Sequence, residues 1–368
     1  MKEESIMKKI QKSIMMLAAL LTAGAALTSC SNEESIAEEQ NANGKYIMTV
    51  EATKGSDALT RALAIDGEGS LNATWTAGDV VEAYLVEVGS TSKLGELTAQ
   101  SDGVTTKLTG ALDEMPAVGD DIYLAYPAYV NDYTRQIGTL DDIAANFDYA
   151  HAVVKATAID NDAKTITTES AVFENDQSIV KFTLSTGGNN INATSLTVGL
   201  KNGSDDYFQQ DYITTGDITI APASGTNEIW AALATWNTSE ATLSLIASTD
   251  SKVYFYTKDG VSFNNGKYYT ASVDMKELIK LNSSNAMSVI GGAYTQVTAE
   301  QALKLAKAQA ALTGNTTYVV FYINGMTSAS YAASTDNPEN INTYTGTNAT
   351  VAQLMNLYGS GDAYAVGQ

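Results

Sequence analysis

Few residues in this 368-residue chain could take part in catalysis: it contains one cysteine, Cys30, and one histidine, His151. A nucleophilic serine or cysteine needs an imidazole or another base beside it. A lone histidine in a strand-like segment is more often structural than catalytic, and structural zinc needs several Cys or His ligands. The sequence therefore predicts no enzymatic activity, no metal site and no cofactor.

Carboxylates are numerous, with adjacent pairs at Asp120–Asp121, Asp141–Asp142 and Asp205–Asp206. Paired acids can hydrolyse glycosides, and carboxylate oxygens can hold calcium. None of these pairs has the spacing of a calcium-binding loop, however, and neighbouring residues of a strand point to opposite faces. Because Asp and Asn favour turns, we interpret these acids as surface turn residues.

Cys30 stands at the end of a segment with the order of an export signal. Basic residues are followed by an apolar run from Ile14 to Leu27, which is too short to span a membrane, and small residues directly precede the cysteine. This order predicts a lipoprotein signal peptide over residues 1–29, cleavage before Cys30, and an acyl lipid such as palmitate on the cysteine. The acidic residues 30–44 are predicted to form a disordered tether.

Most of the following sequence alternates apolar and polar residues between turns rich in Gly, Asn, Asp and Ser, which predicts β-strands. The clearest are Tyr46–Ala52, Val80–Val86, Ile122–Tyr126, Ser178–Leu184, Glu228–Leu233, Ala241–Ile246, Lys252–Tyr256 and Tyr268–Met275. Short strands without helical patterns between them favour antiparallel β-sandwiches of the transthyretin-like or Ig-like kind. We predict one sandwich over residues 45–174 and a second over residues 175–278.

The pattern changes beyond residue 278. Thr298–Gln301 has the form of a capping box that opens a helix ending at Gly314. Thr317–Ile323 is typical of a continuous apolar strand, and a short helix is predicted from Thr350 to Gly359, with no strand after it. Residues 279–368 are therefore predicted to form a small α/β appendage on a mainly β chain.

Composition limits the partners of this chain. Its formal net charge is −21, so that its surface repels nucleic acid and anionic lipid head groups. A single cysteine cannot form an intrachain disulfide.

The chain also has three tryptophans, whose rings could stack on sugars. β-Sandwich cores commonly bury such residues, and we assign Trp75 and Trp230 to the core. Trp236 follows a strand and is expected at the surface, where it could contact a glycan.

Four segments resemble the fimbrillin family, the lipoprotein pilins of Bacteroidetes-type bacteria. They are Trp75–Tyr84, Asp121–Pro127, Phe173–Phe182 and Phe263–Tyr269, and they occur in the order that the family shows. The acidic residues behind Cys30 also resemble the surface-export signals of such bacteria. The resemblance implies a lipoprotein on the outer face of the outer membrane, which joins other fimbrial subunits and adheres to a glycan or protein on a host or bacterial surface.

The family has a removable first strand between the lipid and an arginine at which a trypsin-like protease cuts. The resemblance places the strand at Tyr46–Ala52, the spacer at Thr53–Thr60, and the cut between Arg61 and Ala62. Loss of the strand would expose a hydrophobic groove with unpaired backbone groups, which a strand of another subunit could fill. The removed residues would include Ile47, Met48, Thr49 and Val50, with side chains such as those of Ile47 and Val50 inserted in the groove.

Two other interpretations stay open. Tyr46–Ala52 could be the first strand of a permanent sandwich, with Arg61 in an ordinary loop. The chain could instead be a surface glycan-binding lipoprotein that serves nutrient capture. Within the fimbrial interpretation, the tail favours a tip or accessory subunit over a stalk subunit. Thr317–Ile323 is a possible donor strand, although its continuous apolarity favours burial.

Overall fold

The computed structural model describes residues 44–54, 64–65, 71–87, 90–202, 205–206, 217–234, 238–280, 297–315, 317–322, 329–334, 342–345 and 362–366. Over these ranges the chain is mainly β, as predicted, and contains two helices. Several predicted features lie outside the described residues: the signal peptide, Cys30, most of the tether, Arg61, Ala62, Trp236 and the helix at 350–359.

Ten strands of the described structure lie between residues 46 and 175. They are β1 (Tyr46–Lys54), β2 (Ala64–Ile65), β3 (Leu71–Asn72), β4 (Val80–Glu87), β5 (Ser90–Ala99), β6 (Thr105–Leu112), β7 (Asp121–Tyr126), β8 (Ala150–Asp160), β9 (Thr165–Thr168) and β10 (Ala171–Asn175). β2 and β3 pair with each other. The other eight form one sheet in the order β10-β1-β6-β5-β4-β7-β8-β9.

This eight-stranded sheet closes into a barrel-like ring. β8 pairs with both β9 and β10, and each of these two strands also pairs in parallel with β1. β1 therefore has hydrogen-bonded neighbours on both edges, since β6 runs antiparallel along its other side. The prediction of an antiparallel sandwich over residues 45–174 is confirmed for its β content but not for its layers, because the strands close into one ring. Alternation shows which face of a strand is buried but not which strands pair.

The barrel encloses its own hydrophobic core. Its large buried side chains are Met48, Val50, Trp75, Val81, Leu94, Leu97, Leu108, Leu112, Ile122, Leu124, Val154, Ile166 and Phe173. Full burial of one large aliphatic side chain contributes about 1.5–3 kcal/mol. β1 is therefore a substantial part of what stabilises the barrel.

Two facing sheets enclose a second core. Their strands are β11 (Ser178–Thr186), β12 (Asn189–Asn190), β13 (Ser195–Asn202), β14 (Asp205–Asp206), β15 (Ile218–Ile220), β16 (Glu228–Leu233), β17 (Thr238–Ser248), β18 (Val253–Phe263), β19 (Tyr268–Asp274) and β20 (Lys276–Lys280). One sheet contains β11, β12, β16 and β19, and the other six strands belong to the larger sheet. Side chains from both sheets, such as Phe182 and Leu245, meet in one cluster.

A segment between β7 and β8 joins the two cores. It contains the first helix, α1 (Leu140–Asn146), which the sequence analysis missed. Three side chains of the segment outside this helix, those of Tyr133, Phe147 and Tyr149, pack in the second core. Gln136 ties the segment to β16: its side-chain nitrogen donates to the carbonyl of Ala232 at 2.9 Å, and its side-chain oxygen accepts from the Ala232 N–H at 2.7 Å. This part of the predicted first domain thus contributes to the second core.

The tail extends the larger sheet of the second core. It contains α2 (Ala299–Thr313), β21 (Thr317–Tyr322), β22 (Ala329–Ser334), β23 (Asn342–Thr345) and β24 (Asp362–Val366). The predicted capping box is present at Thr298, and Gly314 ends the helix in the left-handed conformation at φ 70°. β24 pairs with β20 and β21, so the prediction of no strand after residue 359 is wrong. Neither described helix is long and apolar enough to span a membrane.

Candidate functional site

The predicted removable strand is β1, and its even-numbered side chains fill the barrel core. Met48, Val50 and Ala52 are at most 1% exposed, whereas Thr49 and Glu51 are exposed, as the alternation of a strand requires. The prediction that the side chains of Ile47 and Val50 are inserted together is wrong, because residues an odd number apart face opposite sides. Ile47 is buried, but on the other face and outside the barrel core cluster.

Backbone hydrogen bonds hold β1 on both edges. Its register with β6 runs from Tyr46 opposite Leu112 to Thr53 opposite Thr105. On the other edge its first half pairs with β9 and its last three residues pair with β10. We call the space that β1 occupies the β1 groove: the edges of β6, β9 and β10, together with the core positions of Met48, Val50 and Ala52. Without β1 this groove would present unpaired backbone groups on two edges.

The beginning of β1 is held by polar contacts at the surface. Lys45 Nζ lies 2.5 Å from Asp113 Oδ1, and the Tyr46 hydroxyl donates to Asn161 Oδ1 at 2.7 Å. The Lys164 ammonium donates to the carbonyl of Gly44. Exposed contacts of this kind contribute little to stability because water competes for them. These contacts therefore add little to the backbone hydrogen bonds and buried side chains that hold this end of β1.

The other end of β1 is held very differently, by a buried ion pair. Lys54 is 1% exposed, and its Nζ lies 2.6 Å from Asp148 Oδ2. The same ammonium lies 3.5 Å from the centre of the Tyr126 ring and 5.2 Å from that of Trp75. Trp75 in turn packs edge-on against both Tyr126 and Phe173. We call Lys54 and these four residues the lysine cage.

The electrostatics of the lysine cage depend on both charges being present. A buried ammonium or carboxylate is tolerated when it is paired and is costly when it is not. Among the described residues, Lys54 is the one hydrogen-bonding partner of the Asp148 side chain, whose Oδ1 is buried without a partner. Burial, and then the nearby carboxylates of Asp148 and Asp79, raise the pKa of the Tyr126 hydroxyl, so this ring stays neutral beside the ammonium.

The sequence analysis missed Lys54 because it ended the strand at Ala52 and assigned Thr53–Thr60 to the spacer. The structure continues β1 through Lys54. One signal was available: Lys54 has the same parity as Met48, Val50 and Ala52, so a strand extended by two residues turns this lysine inward. Its partner Asp148 is 94 positions away and could not be identified from spacing.

Two of the three tryptophans, Trp75 and Trp230, lie within the described residues. Trp75 is 1% exposed in the barrel core, as predicted. Trp230 is half-buried, packs against the second core and stacks on Tyr268 with ring centres 5.5 Å apart, so its assignment to the core is confirmed in part. Lys181 lies near the same ring, at 5.6 Å from its centre.

His151 forms a largely buried polar contact with a carboxylate. Its Nδ1 lies 2.5 Å from Asp176 Oδ1, and its ring stacks on Tyr123. Asp176 also accepts a hydrogen bond from Asn131. This contact joins β8 to the link between β10 and β11. The described ranges contain no group of three or more His, Cys, Asp or Glu that could hold a metal ion.

The His151 contact should make stability depend on pH. Burial alone would lower the pKa of His151, but the carboxylates of Asp176 and Glu174 raise it above the ordinary value of 6.5. The stabilising effect of the imidazolium is therefore complete below pH about 6.5 and is lost as the pH rises through the higher folded-state pKa. We expect His151→Gln to lower the free energy of unfolding at pH 5.5 and to lower it less at pH 8.5.

Urea unfolding at pH 5.5, 7.0 and 8.5 measures this difference. Lys155→Gln is the control, because it removes an exposed ion pair with Asp121, and the hydrogen bond to Asp121 raises the pKa of Lys155 above 10.5, outside this range. Its effect should be the same at each pH. An equally constant effect of His151→Gln would contradict the prediction.

No family model and no curated protein matches the chain. Among solved structures, a fimbrial protein from Bacteroides ovatus is 14% identical with a TM-score of 0.31, over 62% of this chain and 48% of that protein, so the chain spans about half of its length. A candidate cell adhesion protein from Bacteroides uniformis is 16% identical with a TM-score of 0.33, over 63% and 94% of the two chains. A tip fimbrial protein from Porphyromonas gingivalis, truncated at its C-terminus, is 9% identical with a TM-score of 0.26, over 82% and 99%. These three structural neighbours are fimbrial and candidate adhesion proteins of Bacteroides and Porphyromonas species.

Proposed function

We propose that this chain is a non-enzymatic, fimbrillin-like surface lipoprotein: a fimbrial subunit at the tip or in an accessory position, which mediates adhesion. In this proposal it assembles by donor-strand insertion after cleavage at Arg61. The observation that carries the proposal is the position of β1. This strand completes the barrel core, and it lies in sequence between the predicted lipid site, Cys30, and the predicted cleavage site.

The closed barrel supports a two-step assembly. In the precursor, β1 covers the edges of β6, β9 and β10, which protects them from premature pairing with other chains. Cleavage after Arg61 would leave β1 bound without a covalent link to the rest of the barrel. A strand of another subunit could then replace it, gaining main-chain hydrogen bonds on both edges and inserting alternate side chains.

The lipid and β1 would leave together after this exchange. The outer membrane, through the lipid on Cys30, is thus a partner of the precursor, and the processing protease is a transient one. Other fimbrial subunits are the lasting partners, with a glycan or protein of a host or bacterial surface as the adhesive target.

The tail supports a tip or accessory position. β21, which corresponds to the possible donor Thr317–Ile323, pairs with β24 on one edge and β22 on the other. It also packs against α2 in a third core cluster that includes Leu305 and Val319. A strand held in this way stabilises its own subunit rather than a neighbour.

The processing step can be tested in cells that form fimbriae. The chain has two arginines, Arg61 and Arg135, and the Arg135 side chain is exposed, so its replacement is a matched control for the loss of an arginine. We expect fibre-associated protein to begin at Ala62 and cell-bound precursor to begin at Cys30. Arg61→Gln should keep the Cys30 start and be absent from fibres, whereas the control Arg135→Gln should be processed normally.

Mass spectrometry of both fractions identifies the N-termini, and immunogold microscopy with antibody to residues 279–368 locates the protein on the fibre. Detection of Cys30 as the only start in fimbriated cells would contradict processing at Arg61. Uniform labelling along the shaft would contradict a tip position.

A further inference from the structure

We infer that the β1 groove selects an incoming strand that carries a lysine at the position of Lys54, whose ammonium takes over the pairing with Asp148. The occupant is a strand of a different subunit, with apolar side chains at the positions of Met48, Val50 and Ala52. This inference rests on the proposed strand exchange and specifies the chemistry of its partner.

Charge complementarity is the first support. When β1 leaves, Asp148 loses the one described side chain that pairs with it, and its own side chain is 9% exposed. The rings of Tyr126 and Trp75 surround the place of the ammonium. A neutral side chain there would leave a buried carboxylate without a counter-ion, and an acidic one would add repulsion. A cation also gains favourable contact with the two rings.

Register is the second support. The positions of Met48, Val50 and Ala52 all accept apolar side chains, so a strand displaced by two residues would still turn apolar residues inward. Such a displacement would move its lysine to the fully buried position of Ala52, or past the end of the groove. A single fixed charge opposite Asp148 therefore allows one register only.

The described tail strands do not fit this requirement. β21, β22, β23 and β24 contain neither lysine nor arginine. If one of them were inserted in the groove of another copy, Asp148 would stay unpaired. This difference favours a strand from another type of subunit.

Peptide exchange on the cleaved chain tests the inference. The acceptor is the chain with Arg135→Gln, which leaves Arg61 as the one site for an arginine-specific protease. Fluorescent peptides spanning residues 44–54 are added after cleavage: the native sequence, Lys54→Met, and Lys45→Met. The last peptide is the matched control, because it removes the same charge from the exposed pair with Asp113.

We expect the native and Lys45→Met peptides to bind alike, as measured by fluorescence anisotropy. The Lys54→Met peptide should bind on the order of 100-fold more weakly. An acceptor that also carries Asp148→Asn should lose this preference for lysine. If that acceptor does not fold, the comparison of peptides on the unchanged acceptor decides.

The outcomes separate the two hypotheses. If the native peptide does not enter the cleaved chain, the proposed strand exchange is wrong, and the selection of lysine falls with it. If the native and Lys54→Met peptides bind the unchanged acceptor equally well, strand exchange stands and the selection of lysine is overturned.

Discussion

Lys54→Met is expected to lower the free energy of unfolding of the intact chain by about 3–5 kcal/mol, because it breaks a buried ion pair from one side. The substitution keeps the length and apolar stem of the side chain but leaves the carboxylate of Asp148 buried without its counter-ion. Urea unfolding followed by tryptophan fluorescence measures the effect, and Trp75 lies close enough to the ammonium to report on this part of the barrel.

Two further variants show whether the charge is the cause. Lys45→Met removes an exposed lysine one residue before the same strand and should have little effect. The double variant with Lys54→Met and Asp148→Asn should regain much of the lost stability, because it no longer buries an unpaired charge. If Lys54→Met alone costs less than about 1 kcal/mol, the lysine cage does not hold β1 as described.

Val50→Asp is expected to cost more than about 4 kcal/mol or to prevent the barrel from folding, since it places a carboxylate in an apolar core. Val50 is 1% exposed and belongs to the barrel core cluster. The adjacent Thr49 is exposed, and Thr49→Asp should change stability by no more than about 0.5 kcal/mol. Chemical denaturation of the two variants compares neighbouring positions on the same strand.

A milder variant keeps this comparison informative if Val50→Asp does not fold. Val50→Thr preserves the branched shape and introduces one buried hydroxyl, which should cost about 1–3 kcal/mol. Thr49→Val is its counterpart on the exposed face and should be close to neutral. Equal effects at positions 49 and 50 would show that β1 does not present its even-numbered residues to the core.

Local sequence patterns were sufficient to predict many of the elements. The alternation in Tyr46–Ala52 and Ser178–Leu184 marks β1 and β11, because a strand with one buried face has a period of two. The helix α2 was predicted with its capping box and its glycine stop, since these signals lie within a few residues of one another.

Pairing between distant segments could not be predicted in the same way. β1 meets β9 and β10, which lie more than a hundred positions later in the chain, and this contact closes the sheet into a ring where a sandwich was expected. The partnership of Lys54 with Asp148 depends on that closure. A single sequence carries no local signal for either contact, so the ion pair of the candidate site emerged only from the three-dimensional arrangement.

The segment just before β8 contacts both the barrel core and the second core. Phe147 and Tyr149 pack in the second core, whereas Asp148, between them, and Ala150 face the barrel. Asp148, which pairs with Lys54 of β1, is thus covalently flanked by two residues that pack in the other core. The two cores are therefore expected to unfold together in one cooperative transition.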